Sequence, residues 1–389
     1  MSPEQELQEG EAADIHVAAK PMPPEITEGL AKIRLHEDVF FNPAMHLCRD
    51  VSSLWVGTLP SLDSVLDGFC ASGVRGLRYK LENKNVESVA FVDASPTAVQ
   101  LAERNAINNF LAPKQFRTMR EDINRLLGAG ERFDLIEIDP FGTPVPYLAS
   151  LMRCGNGLDE RFVSVTATDT AVLCGAHARA CYKGYAAKPV HAEICHESGL
   201  RIMLGAIARA AAAEDWALEP MLCLSHRHYF KVLARLVKGA DGAVETSKTA
   251  MTYITHCPHC LYHHMDGFPT PICAWCGNKT QWGGPVWGGD WVSKASVEKM
   301  LRLMPNRPYL LQKEVGSLLN TVASEADGPS LYYDLHELSS SHRRVIPTSE
   351  HVIEALRGMG YFASRTHFST SAIRTDASLG EILEQMKKR

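Results

Sequence analysis

The sequence predicts an α/β protein, with a mostly parallel sheet covered by helices on both faces and an α+β domain after it. Three observations carry that expectation. Apolar, strand-like runs alternate with helical ones from Val65 onward; several of these strands end in a carboxylate; and near Cys257 the pattern gives way to paired cysteines in a segment dense in Gly, Pro and Trp. Strands separated by helices pair in parallel through crossovers, and such sheets are buried on both faces. With 389 residues the chain can build two cores.

Residues 1–24 are polar and end in Pro21, Pro23 and Pro24, which reads as a mobile tail. The first strand, Val65-Leu66-Asp67, runs into the turn "DGFCASGVRG", where Gly68, Gly73 and Gly76 let the backbone approach a ligand. The second covers 88–93. Ser95 and Pro96 then supply an N-cap and a first-turn proline for a helix reaching residue 109 or so. Further strands are expected at 116–122, 133–139 and 161–168, a long helix over 193–213, and an exposed strand with alternating apolar residues in "RHYFKVLARLVKG". The "KGADGAV" segment marks a boundary, giving a first domain over 25–240 and a second over 241–389.

Composition is that of an ordinary globular chain, 45% hydrophobic and 22% charged. The richest apolar stretch, residues 199–213, is interrupted by Arg201 and Arg209, so no membrane span is expected. The first residues are acidic and polar rather than basic and then apolar, which is not a secretory signal, and a cytoplasmic protein is the expectation. Eleven cysteines in that setting do not imply a disulfide framework. A formal net charge of -5 argues against a wholly basic nucleic-acid binder but leaves room for a local patch.

The strand-terminal acids carry the chemistry. In an open parallel sheet a ligand sits beyond the carboxyl ends of the strands, where strand order reverses. Asp93, at the end of the second strand, can accept both ribose hydroxyls of a nucleoside, and Ser95 leaves it free of the capping task. Asp122 can accept from an adenine amino group while the N–H of Ile123 donates to the ring. The fourth strand ends in Asp139-Pro140-Phe141-Gly142. There the ring of Phe141 can stack on a base, Asp139 can accept from an exocyclic amine, and Pro140 fixes the direction of the neighbouring carbonyls.

In the second half Cys257, Cys260, Cys273 and Cys276 form two C-x2-C pairs twelve residues apart, a spacing that closes a structural four-cysteine Zn2+ site. His259, His263 and His264 are then bystanders. Ser349 is expected to cap a helix over 350–357. Arg343, Arg344, Arg357, Arg365 and Arg374, with Tyr361, Phe362 and Phe368, offer a surface suited to RNA phosphates.

The segments "EGLAKIRLHEDVFFNPAMHLCRDVS", "DGFCASGVRGLRY", "FVDASPTAV", "DPFGTP", "CHESGLRIMLGAIARAA" and "AIRTDAS" together resemble the tRNA guanine-26 N2-dimethyltransferases. The resemblance implies a Rossmann-like class I methyltransferase domain followed by a zinc-containing RNA-binding domain, with S-adenosyl-L-methionine as methyl donor and tRNA as partner. It places the methyl donor on Arg49, Arg75, Asp93, Asp122 and Ile123, with Arg49 or Arg75 clamping the methionine carboxylate, and the chemistry on Asp139, Pro140 and Phe141. A monomer is compatible with this. Other amine methyltransferases acting on DNA adenine or protein glutamine share an acid- or asparagine-led strand end, and a catalytically idle zinc-dependent RNA binder is a third reading. The paired cysteines and arginines favour RNA over the first; the set Asp93, Asp122 and Asp139 speaks against the last.

Overall fold

The computed structural model describes residues 24–155 and 157–387; the tail expected over 1–24 lies outside these but for its last residue. A hairpin of β1 (Glu25–Glu28) and β2 (Ala31–Arg34) leads into α1 (His46–Val56). Then follow β3 (Leu62–Asp67), α2 (Val74–Glu82), β4 (Val86–Asp93), α3 (Pro96–Asn108), β5 (Phe116–Arg120) and α4 (Ile123–Gly128). The chain continues through β6 (Leu135–Ile138), α5 (Val145–Arg153), β7 (Glu160–Ala167), α6 (Thr170–Leu173), α7 (Ala178–Tyr185), α8 (Cys195–Ala212), β8 (Trp216–His226) and β9 (Tyr229–Lys238). These strands make one seven-stranded sheet in the order β5-β4-β3-β6-β7-β9-β8, in which only β9 runs against the rest.

Strand order reverses between β3 and β6, so the carboxyl ends of these two strands open a crevice. Right-handed crossovers put α2 and α3 on one face and α5 on the other. That double cover corrects one expectation. Tyr229 to Ala234 are all buried, because β9 is an interior strand between β7 and β8 with α8 and α9 packed against it rather than an exposed one. The charge this buries, Lys231, is neutralised by Glu137 of β6.

The chain does not leave this core at residue 240. Helix α9 (Ala240–Thr249) packs on β8 and α8, and one apolar core runs from Ala31 to Ala372. It takes in α10 (Lys294–Leu303) and α11 (Gln312–Glu325), which lie against α1. A second core joins the cysteine segment to the C-terminal elements. The cysteines lie in the loops of a sheet of β10 (Thr252–His256), β11 (His263–Asp266) and β12 (Gln281–Val286), in the order β11-β10-β12, whose Ile254 and Val286 face the first core; the second core takes in a small sheet of β13 (Tyr333–Asp334), β14 (Ala363–Arg365) and β15 (Ala372–Thr375). Three helices complete it: α12 (Leu335–His342), α13 (Ser349–Gly358) and α14 (Leu379–Glu384). Thr348, not Ser349, caps α13, its hydroxyl accepting from the N–H of His351. Among the described residues no helix is long and apolar enough to cross a membrane.

A buried ion network ties the two parts. Arg374 of β15 donates to Glu197 of α8 at 2.7 Å and to Glu325 of α11 at 3.0 Å, while Arg201 holds Glu197 from its own helix at 2.9 Å. Ser225 N–H donates to Nε2 of His367, so Nδ1 carries the proton it shares with Glu325. Burial opposes ionisation of Glu197, but Arg374 and Arg201 outweigh it and bring the carboxyl down to about 2. Because the folded value lies below the ordinary one, this stability is complete above the usual carboxylate range and is lost as pH falls from there through the folded value of about 2. The drop is worth about 3 kcal/mol. Glu197→Gln should therefore cost roughly 3–5 kcal/mol at neutral pH, leaving Arg374 short of charge, and should flatten the acid limb of the stability curve. Denaturant titrations at several pH values check this; a variant with the wild-type midpoint at neutral pH would contradict it.

Candidate active site

A cavity of about 530 Å³ occupies the crevice at the carboxyl ends of β3, β4 and β6. Its floor is the turn after β3. Here Gly76 is demanded by packing: a Cβ would stand 2.6 Å from the ring of Phe91 and 3.0 Å from Asp67. The N–H of Gly76 donates to the Asp67 carboxylate at 2.9 Å, and burial pushes Asp67 up to about 7.

Asp93 faces this cavity with both oxygens fixed by backbone. Oδ2 accepts from Ala71 N–H of the turn at 3.0 Å, and Oδ1 from Ser95 N–H at 2.9 Å. Ser95 caps α3, as expected. Each carboxylate oxygen keeps acceptor capacity, already aimed, for hydroxyls of a ligand.

Asp139, Pro140 and Phe141 form the opposite wall. Arg75 of α2 reaches across to the Asp139 carboxylate, and its Nε lies 3.6 Å from Glu137. Glu137 is fully buried; it accepts from Tyr79 at 2.7 Å and from Lys231 at 2.5 Å, and Lys231 also donates to Thr166. Glu137 and Asp139, two apart on one strand, point to the same face. Burial would raise the Asp139 carboxyl, but Arg75, and behind it Lys231, hold it below the usual carboxylate range. It is therefore an ionised acceptor, and its side chain keeps 22% of its surface open.

Past the acid, the backbone turns at Gly142 with φ of 77°, a conformation that suits glycine. The turn is pinned to the end of β7: Gly142 N–H donates to the Thr168 hydroxyl at 2.8 Å, and Thr168 N–H to the Gly142 carbonyl at 2.9 Å. This leaves Phe141 standing out, 77% exposed, with Phe40 edge-on to it at 4.7 Å. Phe40, Phe41, Asn42 and Met45 of the segment before α1 close the rim, with His228 of the β8–β9 turn.

Arg49 and Arg75 both line the cavity, but neither presents an empty fork. Nε and Nη2 of Arg49 grip the Glu28 carboxylate, each at 2.6 Å, leaving Nη1 as its end without a hydrogen-bond partner among the described residues. Asp122 and Ile123 stand at the end of β5, outside the cavity lining. Asp122 is exposed and caps α4, accepting from Arg125 N–H at 3.0 Å; Ile123 is buried beneath Gly68.

Sequence reasoning missed Glu137, Lys231 and Phe40. A carboxylate inside "DLIEID" and a lysine inside "YFKVLARL" are opposite charges in two apolar strands, which is the signal of a buried pair. Phe40 carries no such signal.

The four sulfurs of Cys257, Cys260, Cys273 and Cys276 lie within 4.8 Å of one another, at 3.5 Å for Cys257–Cys276 and 3.6 Å for Cys260–Cys273. Tetrahedral zinc, with Zn–S of about 2.3 Å, sets its sulfurs about 3.8 Å apart. The donor set fits that ion. Two residues read as RNA-facing are instead interior. Arg374 is in the ion network, and Phe368 stacks on Tyr332 at 5.8 Å, edge-on to Trp291 at 5.4 Å. Arg343, Arg357 and Arg365 are exposed, and Arg365 pairs with Glu350.

The model of a family described as N2,N2-dimethylguanosine tRNA methyltransferase matches residues 18–387. A tRNA (guanine(26)-N(2))-dimethyltransferase of Methanothermobacter thermautotrophicus is 35% identical over 362 residues, covering 91% of this chain and 94% of that relative. One from Thermococcus kodakarensis is 34% identical over 385 residues, covering 93% and 98%. Among solved structures, Trm1 from Pyrococcus horikoshii in complex with S-adenosyl-L-methionine gives a TM-score of 0.86 at 34% identity, over 94% of this chain and all of that one. With a Rossmann-like sheet and a match along nearly its whole length, this chain belongs to the N2,N2-dimethylguanosine tRNA methyltransferase family.

Proposed function

We propose that this chain transfers methyl groups from S-adenosyl-L-methionine to the exocyclic N2 of guanine 26 in tRNA, giving N2,N2-dimethylguanosine. The observation that carries the reading is the end of β6: an acid held ionised, a proline and an exposed aromatic ring on one wall of a nucleoside-sized cavity. The relatives' names give the base and its position.

S-adenosyl-L-methionine, when bound, brings a methyl group on a sulfonium sulfur, an electrophile that needs no covalent help from protein. Asp93 fits the ribose hydroxyls, since both its oxygens are already oriented. Arg49 offers Nη1 to the methionine carboxylate as a single contact rather than a fork. Asp122 and Ile123 fit the adenine edge only if the ligand extends past the cavity toward β5.

On the guanine side, the exposed ring of Phe141, braced edge-on by Phe40, presents a face on which a flipped base can stack. The N2 lone pair is delocalised into the purine ring, so the amine is a poor nucleophile. The Asp139 carboxylate, with the Pro140 carbonyl, accepts its N–H bonds and localises that pair on nitrogen. Arg75 fixes the carboxylate and keeps it ionised. Positioning and a fixed acceptor are the levers. Buried Cys70, its thiol pushed far up by desolvation, is no nucleophile.

Zinc in the four-cysteine cluster would hold the β10–β12 sheet against the C-terminal helices, and the second half, with exposed Arg343, Arg357 and Arg365, would grip tRNA phosphates.

Asp139→Asn should lower the single-turnover rate roughly a hundredfold or more while the methyl donor still binds. The factor should be the same at about pH 5 and about pH 8, because a carboxylate held below its usual range is ionised at both. A near-normal rate would remove Asp139 from the chemistry. Asp93→Ala should weaken donor binding by about 1.5–3 kcal/mol, the worth of a charged hydrogen bond; calorimetry showing wild-type affinity would sink that assignment. Cys257→Ser with Cys260→Ser should lose zinc and tRNA affinity yet keep donor affinity, and tRNA binding undiminished in that variant would put the grip elsewhere.

A further inference from the structure

Cys174, Cys195 and His196 have no part in the site above. Cys174 ends α6, its N–H bonded to the Thr170 carbonyl at 2.8 Å and its own carbonyl accepting from Nδ1 of His191 at 3.0 Å. Cys195 and His196 are the first two residues of α8, so the helix N-terminus favours negative charge on the thiol. Two separate segments thus bring three ligand atoms within 4.8 Å of one another, with Nδ1 of His196 3.7 Å from Sγ of Cys174. All three residues are half-buried, neither sealed from ions nor free in solvent.

Around a tetrahedral ion with bonds of about 2.3 Å to sulfur and 2.0–2.1 Å to nitrogen, donor atoms stand about 3.5–3.8 Å apart. The Cys174–His196 separation already has that value. Two sulfurs and an imidazole are a soft set, suited to zinc-class ions and unsuited to magnesium or calcium.

We propose that Cys174, Cys195 and His196 form a second metal site, holding a zinc-class ion through three protein ligands with one position open. The fold gives such an ion a task. Thr168, which pins the Gly142 turn, lies just before α6, and Glu197, which holds Arg374, follows His196. An ion here would tie the strand end that supports the Asp139–Gly142 turn to the helix that anchors the second half.

The full chain, produced under reducing conditions with Zn2+ in excess, is analysed for metal per protein. It should carry one equivalent beyond that of the four-cysteine cluster. Cys174→Ser with Cys195→Ser should lose that equivalent and lower the melting temperature, while Cys273→Ser with Cys276→Ser should keep it. His196→Gln leaves both thiols in place and should also lose it, which covers failure of the double serine variant to fold. With Co2+ in place of Zn2+, the wild-type-minus-His196→Gln spectrum should show the thiolate-to-cobalt charge transfer of two sulfurs, about half that of the four-cysteine site. Equal zinc in wild type and His196→Gln, or recovery of Cys174 and Cys195 as a disulfide from the same preparation, would overturn the proposal.

Discussion

The candidate site is built around one buried balance of charge. Glu137 of β6 and Asp139 just past its end point to the same face, and desolvated carboxylates there are costly unless bases meet them. Arg75 from α2 contacts both, and Lys231 from β9 caps Glu137 from behind. Two acids meet two bases. The second pair, Glu137 and Lys231, is wholly interior, so its function is to hold the first pair in register rather than to touch a ligand. Removing one member of such a set leaves a buried charge uncompensated, which is why the arrangement is all or none.

That balance explains why the antiparallel strand is in the middle of the sheet's end rather than at its edge. β9 must stand beside β7 for Lys231 to reach across to Glu137. The same register places the β8–β9 turn, with His228, at the cavity rim. Fold and site are set by the same pairing. A second network, centred on Glu197 and Arg374, performs the corresponding task between the two parts of the chain, so the second half docks through the helix that follows the active-site strands.

Much of this was legible in the sequence. Acids at the ends of apolar strands are costly unless a ligand or a base meets them, so Asp93 and Asp139 stood out, and both face the cavity. Asp122 stood out on the same grounds, yet it lies outside the cavity lining, and one of its oxygens caps α4, a task that any strand-end acid before a helix can take. The four cysteines were readable because their spacing is local. What was not readable depends on distant partners. Arg374 lies in a polar motif that looks exposed, and its acid is 177 positions away. Lys231 sits in a strand whose alternation suggested a solvent face, and only the folded sheet, with β9 an interior strand and helices α8 and α9 against it, covers both faces. Arg49 was expected to hold a free carboxylate, but Glu28 fills its fork from a hairpin that the strand pattern did not announce.

Asp139 is kept as a carboxylate by the charges behind it. Isotope-edited infrared titration of the aspartate carboxyls, with Asp139→Asn as the difference reference, reads this directly. The Asp139 band should stay ionised below the ordinary aspartate value, about 3.9, and Lys231→Met should move its titration upward. An Asp139 carboxyl that protonates above about pH 5, or one indifferent to Lys231→Met, would contradict it.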